Sequence, residues 1–277
     1  MAITVNTNIP SLTAQGSLNK ATNRMNTAME RMSTGARINS SKDDAAGMAV
    51  SNKLDYKVSS LAVAQDNAQM GASMLDTMEG VMGVINDNLT RIRDLTEQAA
   101  NGTYGTDAMT AIKTEVNARL AEIDRVASSA EFNGKKLLDG SLTSGVNLQV
   151  GINNDTNSTI TLEAALFQDC TKEGLSLEDV TWNSDTDAKG FLTTIDAAIK
   201  SVTDAKTKIG GKQAAITSAI ETANVMATNL TSASSLIKDA DIAEESSNYI
   251  KQQILQQTSA SLLATANQAP SIALNLV

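Results

Sequence analysis

The chain has 277 residues, 42% hydrophobic but only 3% aromatic, so its apolar mass is aliphatic and suits meshing helices better than a thick globular centre. A formal net charge of −9 argues against a basic nucleic-acid or anionic-membrane surface, and no apolar run is long enough for a spanning helix. Histidine is absent and Cys170 is the single cysteine, which excludes histidine acid–base chemistry, histidine metal sites, the usual triads and an internal disulfide.

In chain order, Ile3, Val5 and Ile9 alternate with polar residues until Pro10, which predicts an extended or disordered lead. This lead lacks the basic start and apolar centre of a cleaved signal peptide, and on that ground alone the chain reads as cytoplasmic. A helix is predicted from Ser11, its cap, with Ala14, Leu18, Ala21, Met25, Ala28 and Met32 at alternating spacings of four and three. So weak a seam over roughly 33 Å needs a partner. Residues 33–43 break the helix, with Gly35 and Asn39 among the breakers. Asp43 and Asp44 then precede Ala45, Ala46 and Gly47, as at a helix start. A carboxylate pair for catalysis or metal binding is the sharper reading of Asp43 and Asp44, and capping the plainer one.

A stronger seam follows, with Leu54, Leu61, Ala68, Leu75, Met82 and Leu89 each seven apart. Gly71 lies on it, which suggests close helix approach. Asn101–Gly105 is a turn, and Met109, Ile112, Val116, Leu120 and Ile123 predict a third helix folded back on the second. Phe132-Asn133-Gly134 ends it tightly. Period-two alternation over about 146–163 predicts a β-hairpin. Residues 164–188 hold Cys170 and Trp182 without a period and read as a small surface loop region. A last long seam runs from Leu192 to Ile237, with Gly210-Gly211 as a possible bend. A final helix over about 239–268 is rich in Gln, Ser, Thr and Ala, and Pro270 with the apolar tail SIALNLV closes the chain. The fold class is therefore mainly α: a long antiparallel helical bundle or coiled coil with a small β-hairpin and paired terminal helices. Weak end helices that are stable only in company are what a polymer subunit needs.

The segment ERMSTGARINSSKDDAAGMAVS closely resembles the N-terminal signature of bacterial flagellin. INDNLTRIRDLTEQAANGTYG, EVNARLAEIDRVASSAEFNGKKLLDG and LQVGINN resemble the segments that follow it, and SLIKDADIAEES and KQQILQQTSASLLATANQAPSIALNL resemble the family's C-terminus. The resemblance covers about residues 1–152 and 190–277. It implies a filament subunit polymerising with itself into a helical filament, without enzymatic activity or cofactor. It implies an inner-layer coiled coil from 1–43 and 233–277, a rod-like helical bundle from 44–232, and Gly35, Asn39, Asp43 and Asp44 in a spoke between layers. The return path of that spoke is expected at Ser232–Asp241.

The family leaves the cell through the flagellar export apparatus without a cleaved signal peptide, which replaces the cytoplasmic reading. It also implies an export chaperone, the filament cap and hook-junction proteins as partners, and no membrane insertion. Recognition by a Toll-like receptor of animal hosts is implied at Arg91, Leu95, Gln98, Glu115 and Arg119, positions that also suit subunit contacts. Leu274, Leu276 and Val277 resemble the apolar tail sensed inside host cells. The outer domains of larger relatives are not expected in so short a middle segment. A hook–filament junction protein is the alternative, and a zinc-protease insert is excluded by the absence of histidine.

Overall fold

The computed structural model describes residues 7–182 and 184–274, with side chains from residue 269 onward left aside. The expected lead at Ile3 and Val5, and the tail side chains of Leu274, Leu276 and Val277, lie outside the described residues. Five helices dominate: α1 (Ile9–Thr34), α2 (Ala45–Ala99), α3 (Thr106–Ser129), α4 (Asp185–Lys238) and α5 (Ile242–Leu274). Two small antiparallel hairpins, β1 (Glu131–Phe132) with β2 (Lys135–Lys136) and β3 (Val146–Gln149) with β4 (Thr159–Leu162), and short 3-10 turns at Thr156–Ser158 and Ala164–Leu166 complete the elements.

The chain divides into two compact units, Met1–Tyr56 with Thr228–Val277, and Lys57–Ala227. Both divisions fall inside helices, α2 and α4.

Unit 1 starts earlier than the sequence suggested. Asn8, not Ser11, caps α1, its carboxamide oxygen accepting from the Ser11 amide at 3.1 Å. Pro10 sits in the first turn, where its missing N–H costs no helical hydrogen bond, so it opens the helix instead of preceding it. Gly35 ends α1 with φ of 71°, its amide returning to the Arg31 carbonyl at 2.9 Å. Only a residue without Cβ takes this left-handed cap at little cost. At the other end α5 runs on through Pro270 to Leu274, beyond the end expected near residue 268.

Unit 2 holds the main core, where the strong seams meet. Leu75, Met78, Met82, Ile85, Leu89 and Ile92 of α2 are wholly covered, as are Val116, Leu120 and Ile123 of α3. From α4 come Ile195, Val202, Ile209 and Ile216, likewise fully buried. The antiparallel return of α3 on α2 is fixed by Arg91 to Glu115 at 3.2 Å and Arg119 to the Asn88 side chain at 3.2 Å. Leu54 and Lys57 stay partly exposed, so the α2 seam closes only from Leu61 onward.

Two expectations about this unit are corrected. Residues 164–188 are not a surface loop. Leu166, Phe167, Cys170, Leu175, Leu177, Val180 and Trp182 are buried in the core, and Trp182 meets Phe191 edge-on at 5.3 Å. Each of these side chains is buried by irregular backbone, so no period marks them. The last long helix starts at Asp185, before Leu192, and passes Gly210-Gly211 without interruption. The tight turn expected at Phe132–Gly134 is present, as the turn of the β1–β2 hairpin, with Asn133 and Gly134 at φ 48° and 76°. Both central residues at positive φ give the turn twist that suits paired strands.

In β3 only 146–149 are strand, paired Val146 to Leu162 and Gln149 to Thr159, and Val150 and Ile152 lie beyond it. Gly71 is indeed a close-approach site, but its neighbour is β3, not a helix. A Cβ there would come within 2.3 Å of Leu148.

Candidate assembly surface

Unit 1 inverts the usual order of a helical pair. Its inward residues are small or polar: Ala21 and Ala28 from α1, and Glu245, Gln252 and Ser259, each seven apart, from α5. Leu18, Met25, Met32 and Leu263 are half-buried, while other apolar side chains face outward. Ile9, Leu12 and Met29 on α1 and Ile250, Ile254, Leu255 and Leu262 on α5 are all exposed.

Polar contacts hold the two helices in register. Arg31 meets Glu245 at 2.9 Å, with the two side chains 28% and 12% exposed. Gln256 donates to the Thr22 hydroxyl at 3.0 Å, and Asn8 donates to the Ala266 carbonyl at 2.8 Å. Such bonds fix alignment but add little net stability, about 0.5–1.5 kcal/mol each. The Arg31 Nε atom is buried without an acceptor among the described residues. A groove of about 780 Å³ runs between the helices, walled by Ile9, Pro10, Ala14, Leu255 and Leu262.

The connection from α1 to α2 is tightly bonded rather than loose. The Asp43 carboxylate accepts from the Asn39 amide at 3.3 Å and from the Ser40 amide and hydroxyl at 3.0 and 3.1 Å. Hydrogen bonding from Ser40 holds the Asp43 carboxyl below the usual carboxylate range. Asp44 caps α2, accepting from the Gly47 amide at 2.9 Å. A Cβ on Gly47 would stand 2.4 Å from Asp44 and 2.8 Å from Ile38, which explains the small residues at this helix start. The geometry is that of caps, not of a catalytic or metal pair.

The return strand is shorter than Ser232–Asp241, since α4 is helical to Lys238. It is clamped to the outgoing strand by Arg37 N–H to the Lys238 carbonyl at 2.7 Å and Ala240 N–H to the Gly35 carbonyl at 2.9 Å. Asp55 reinforces the join, accepting from the Ser234 hydroxyl at 2.6 Å and from Lys238 at 3.1 Å. These bonds lower its carboxyl below the ordinary value, Ser234 first and Lys238 second. No pattern of hydropathy or spacing announced the Asp55 join.

On unit 2, Arg91, Glu115 and Arg119 do come together, Glu115 taking Arg91 and Arg119 at 3.2 Å each. The two guanidiniums hold the Glu115 carboxyl below its ordinary value. Gln98 is exposed, whereas Leu95 is buried, so Leu95 supports this surface from beneath. Cys170 is buried, and desolvation pushes its thiol up to about 12.

Paired terminal helices that keep polar groups inside and apolar groups outside define a self-associating helical structural protein. The bacterial flagellin N-terminal helical region matches residues 5–143, and the bacterial flagellin C-terminal helical region matches residues 192–277. A flagellin of Xenorhabdus nematophila is 36% identical over 318 aligned positions, covering 100% of each chain. Among solved structures, Bacillus cereus flagellin is 28% identical with a TM-score of 0.50, covering 61% of this chain and 94% of that one. A flagellar hook-associated protein from Vibrio parahaemolyticus shares the fold, with a TM-score of 0.59 over 70% of this chain and 99% of that one, at 17% identity.

The chain belongs to the bacterial flagellin family. It is a structural, non-enzymatic subunit of the flagellar filament, a component exported from the cell that polymerises with copies of itself. The hook-associated alternative has no better support. No helix among the described residues is long and apolar enough to cross a membrane.

Proposed function

We propose that the subunit joins its filament chiefly through α1 and α5, whose outward apolar side chains are covered by the same helices of neighbouring copies. The observation that carries this reading is the inversion of burial in unit 1, with Glu245, Gln252 and Ser259 inside and Ile254, Leu255 and Leu262 outside. Helices so arranged gain most of their apolar burial only on assembly, at about 25 cal/mol per Å². On this reading 1–43 and 233–277 form the inner layer of the filament and 44–232 the outer bundle. Gly35, Asn39, Asp43 and Asp44 shape the outgoing spoke, and the clamp to Lys238 and Ala240 keeps the return spoke beside it.

The same uncovered face gives an export chaperone something to hold before assembly, and the filament cap and hook-junction proteins a helix pair to meet at the ends. Export without a cleaved signal peptide fits a terminus whose α1 has a structural place in the subunit. The Arg91–Glu115–Arg119 cluster, with Gln98 nearby in sequence, is the surface we assign to a host Toll-like receptor or a neighbouring subunit.

The test is Leu255→Ser with Leu262→Ser. The critical concentration for salt-induced assembly should rise at least about tenfold, while the monomer melting curve is unchanged. Normal filaments from the double variant would show that this face is not the contact.

A further inference from the structure

Asn-Gly occurs twice in the chain, at Asn101-Gly102 and at Asn133-Gly134. An asparagine before glycine can react with its own backbone. The next residue's amide nitrogen attacks the side-chain carbonyl carbon, and glycine, lacking Cβ, leaves that nitrogen uncrowded. Two conditions decide whether a folded chain permits this. The attacking N–H must not be held in a hydrogen bond, and the asparagine backbone must be able to turn the nitrogen towards its own side chain.

Asn101-Gly102 meets both. The pair lies between α2 and α3, and both residues are exposed. The Gly102 N–H donates to no group among the described residues. The Asn101 carbonyl, which must swing as the nitrogen turns, accepts from the Tyr104 amide at a long 3.3 Å. The Asn101 side-chain oxygen accepts from the Thr103 amide at 3.3 Å. A donor therefore already stands at the oxygen where negative charge gathers during the attack.

The comparable pairs are locked. Asn133 and Gly134 are the central residues of the β1–β2 turn, with Phe132 and Lys135 paired across it. Turning Asn133 would break that pair and the bond beyond it, from the Leu137 N–H to the Ala130 carbonyl at 3.0 Å. Where serine follows asparagine, the amide is tied down instead. Asp43 holds the Ser40 amide after Asn39 at 3.0 Å, and Asp155 holds the Ser158 amide after Asn157 at 2.8 Å.

We propose that Asn101 is a self-modification site, closing a succinimide ring with Gly102. The new bond joins the Gly102 nitrogen to the Asn101 side-chain carbonyl carbon. The proton from the Gly102 nitrogen passes to the departing side-chain nitrogen, which leaves as ammonia. Water then opens the ring at either carbonyl, giving aspartate or isoaspartate. Either product adds a negative charge just past the C-terminus of α2, where the helix dipole disfavours it. Isoaspartate also lengthens the turn backbone by one methylene.

The test incubates the full-length monomer, native and in urea, in mildly alkaline buffer and follows its tryptic peptides by mass spectrometry. Cleavage after Arg93, Lys113, Arg125 and Lys135 places the two Asn-Gly pairs on separate peptides. In the native chain the Asn101 peptide should gain the mass of an amide-to-acid exchange, in two chromatographic forms, several-fold faster than the Asn133 peptide. In urea the two rates should converge. Gly102→Ala should slow the Asn101 reaction several-fold and leave the melting curve unchanged, because Gly102 is exposed and an added Cβ meets only Asp185, at an ordinary 3.8 Å. Equal native rates at the two pairs, an Asn101 peptide that stays intact in the native chain, or a Gly102→Ala variant that reacts as fast as the wild type would each overturn the proposal.

Discussion

Leu75→Ala tests the core of unit 2 most sharply. Leu75 is 0% exposed and lies among Met78, Met82 and the facing α3 and α4 side chains. The substitution deletes about three carbon atoms, at about 0.8 kcal/mol each in transfer free energy, or about 2.4 kcal/mol. A residual cavity between long helices, which cannot easily collapse, brings the expected loss to about 3–5 kcal/mol. For a unit the size of Lys57–Ala227, each kcal/mol lowers the midpoint by about 2–4 °C, so the shift should be about 6–20 °C. Leu236→Ala is the matched control, because Leu236 is 82% exposed and its loss should cost less than about 0.5 kcal/mol. The assay is thermal unfolding of the monomer by circular dichroism and calorimetry. Equal midpoints for the two variants would refute the assignment of the α2 seam as the structural core.

Other outcomes follow from the same geometry. Gly71→Ala places a Cβ against Leu148, so despite better helix propensity it should destabilise unit 2 by about 1–2 kcal/mol, measured by urea unfolding. Asp55 has a depressed carboxyl pKa in the folded chain, so its contribution is present above the ordinary carboxylate range near 4 and is lost as pH falls through the lowered value. Asp55→Asn should therefore flatten the acid limb of unit 1 stability, followed by circular dichroism between pH 5 and about 2. Cys170, with its thiol pushed up to about 12, should resist maleimide at neutral pH in the native monomer and react once unit 2 unfolds, as mass spectrometry will show.

The sequence disclosed α2, α3 and α4 because their buried positions are large aliphatic or methionine side chains at a regular period. It disclosed the cap role of Asp43 and Asp44 through local chemistry. It marked Ala21 and Ala28 on the α1 seam but concealed the α5 side of the pair, where the buried residues are Glu245, Gln252 and Ser259. The large apolar side chains of α5, such as Ile250 and Leu255, face away from it. A pair built for contact with other copies places its hydrophobic signal on the side a single chain does not use. The stretch 164–182 was concealed for another reason. Its backbone is irregular, so Leu166, Leu177 and Trp182 reach the core one by one. Asp55 was invisible because its partners, Ser234 and Lys238, are far away in sequence.

Amide hydrogen exchange on monomer and filament, resolved by helix, tests the central claim most directly. If the outward faces of α1 and α5 are closed by neighbouring copies, amides of both helices should exchange at least about 100-fold more slowly in the filament. Amides around Leu75, Leu89 and Leu120 should be equally protected in both states. Equal protection of α1 and α5 in monomer and filament would mean that the terminal pair is already complete in one chain, and would contradict the account.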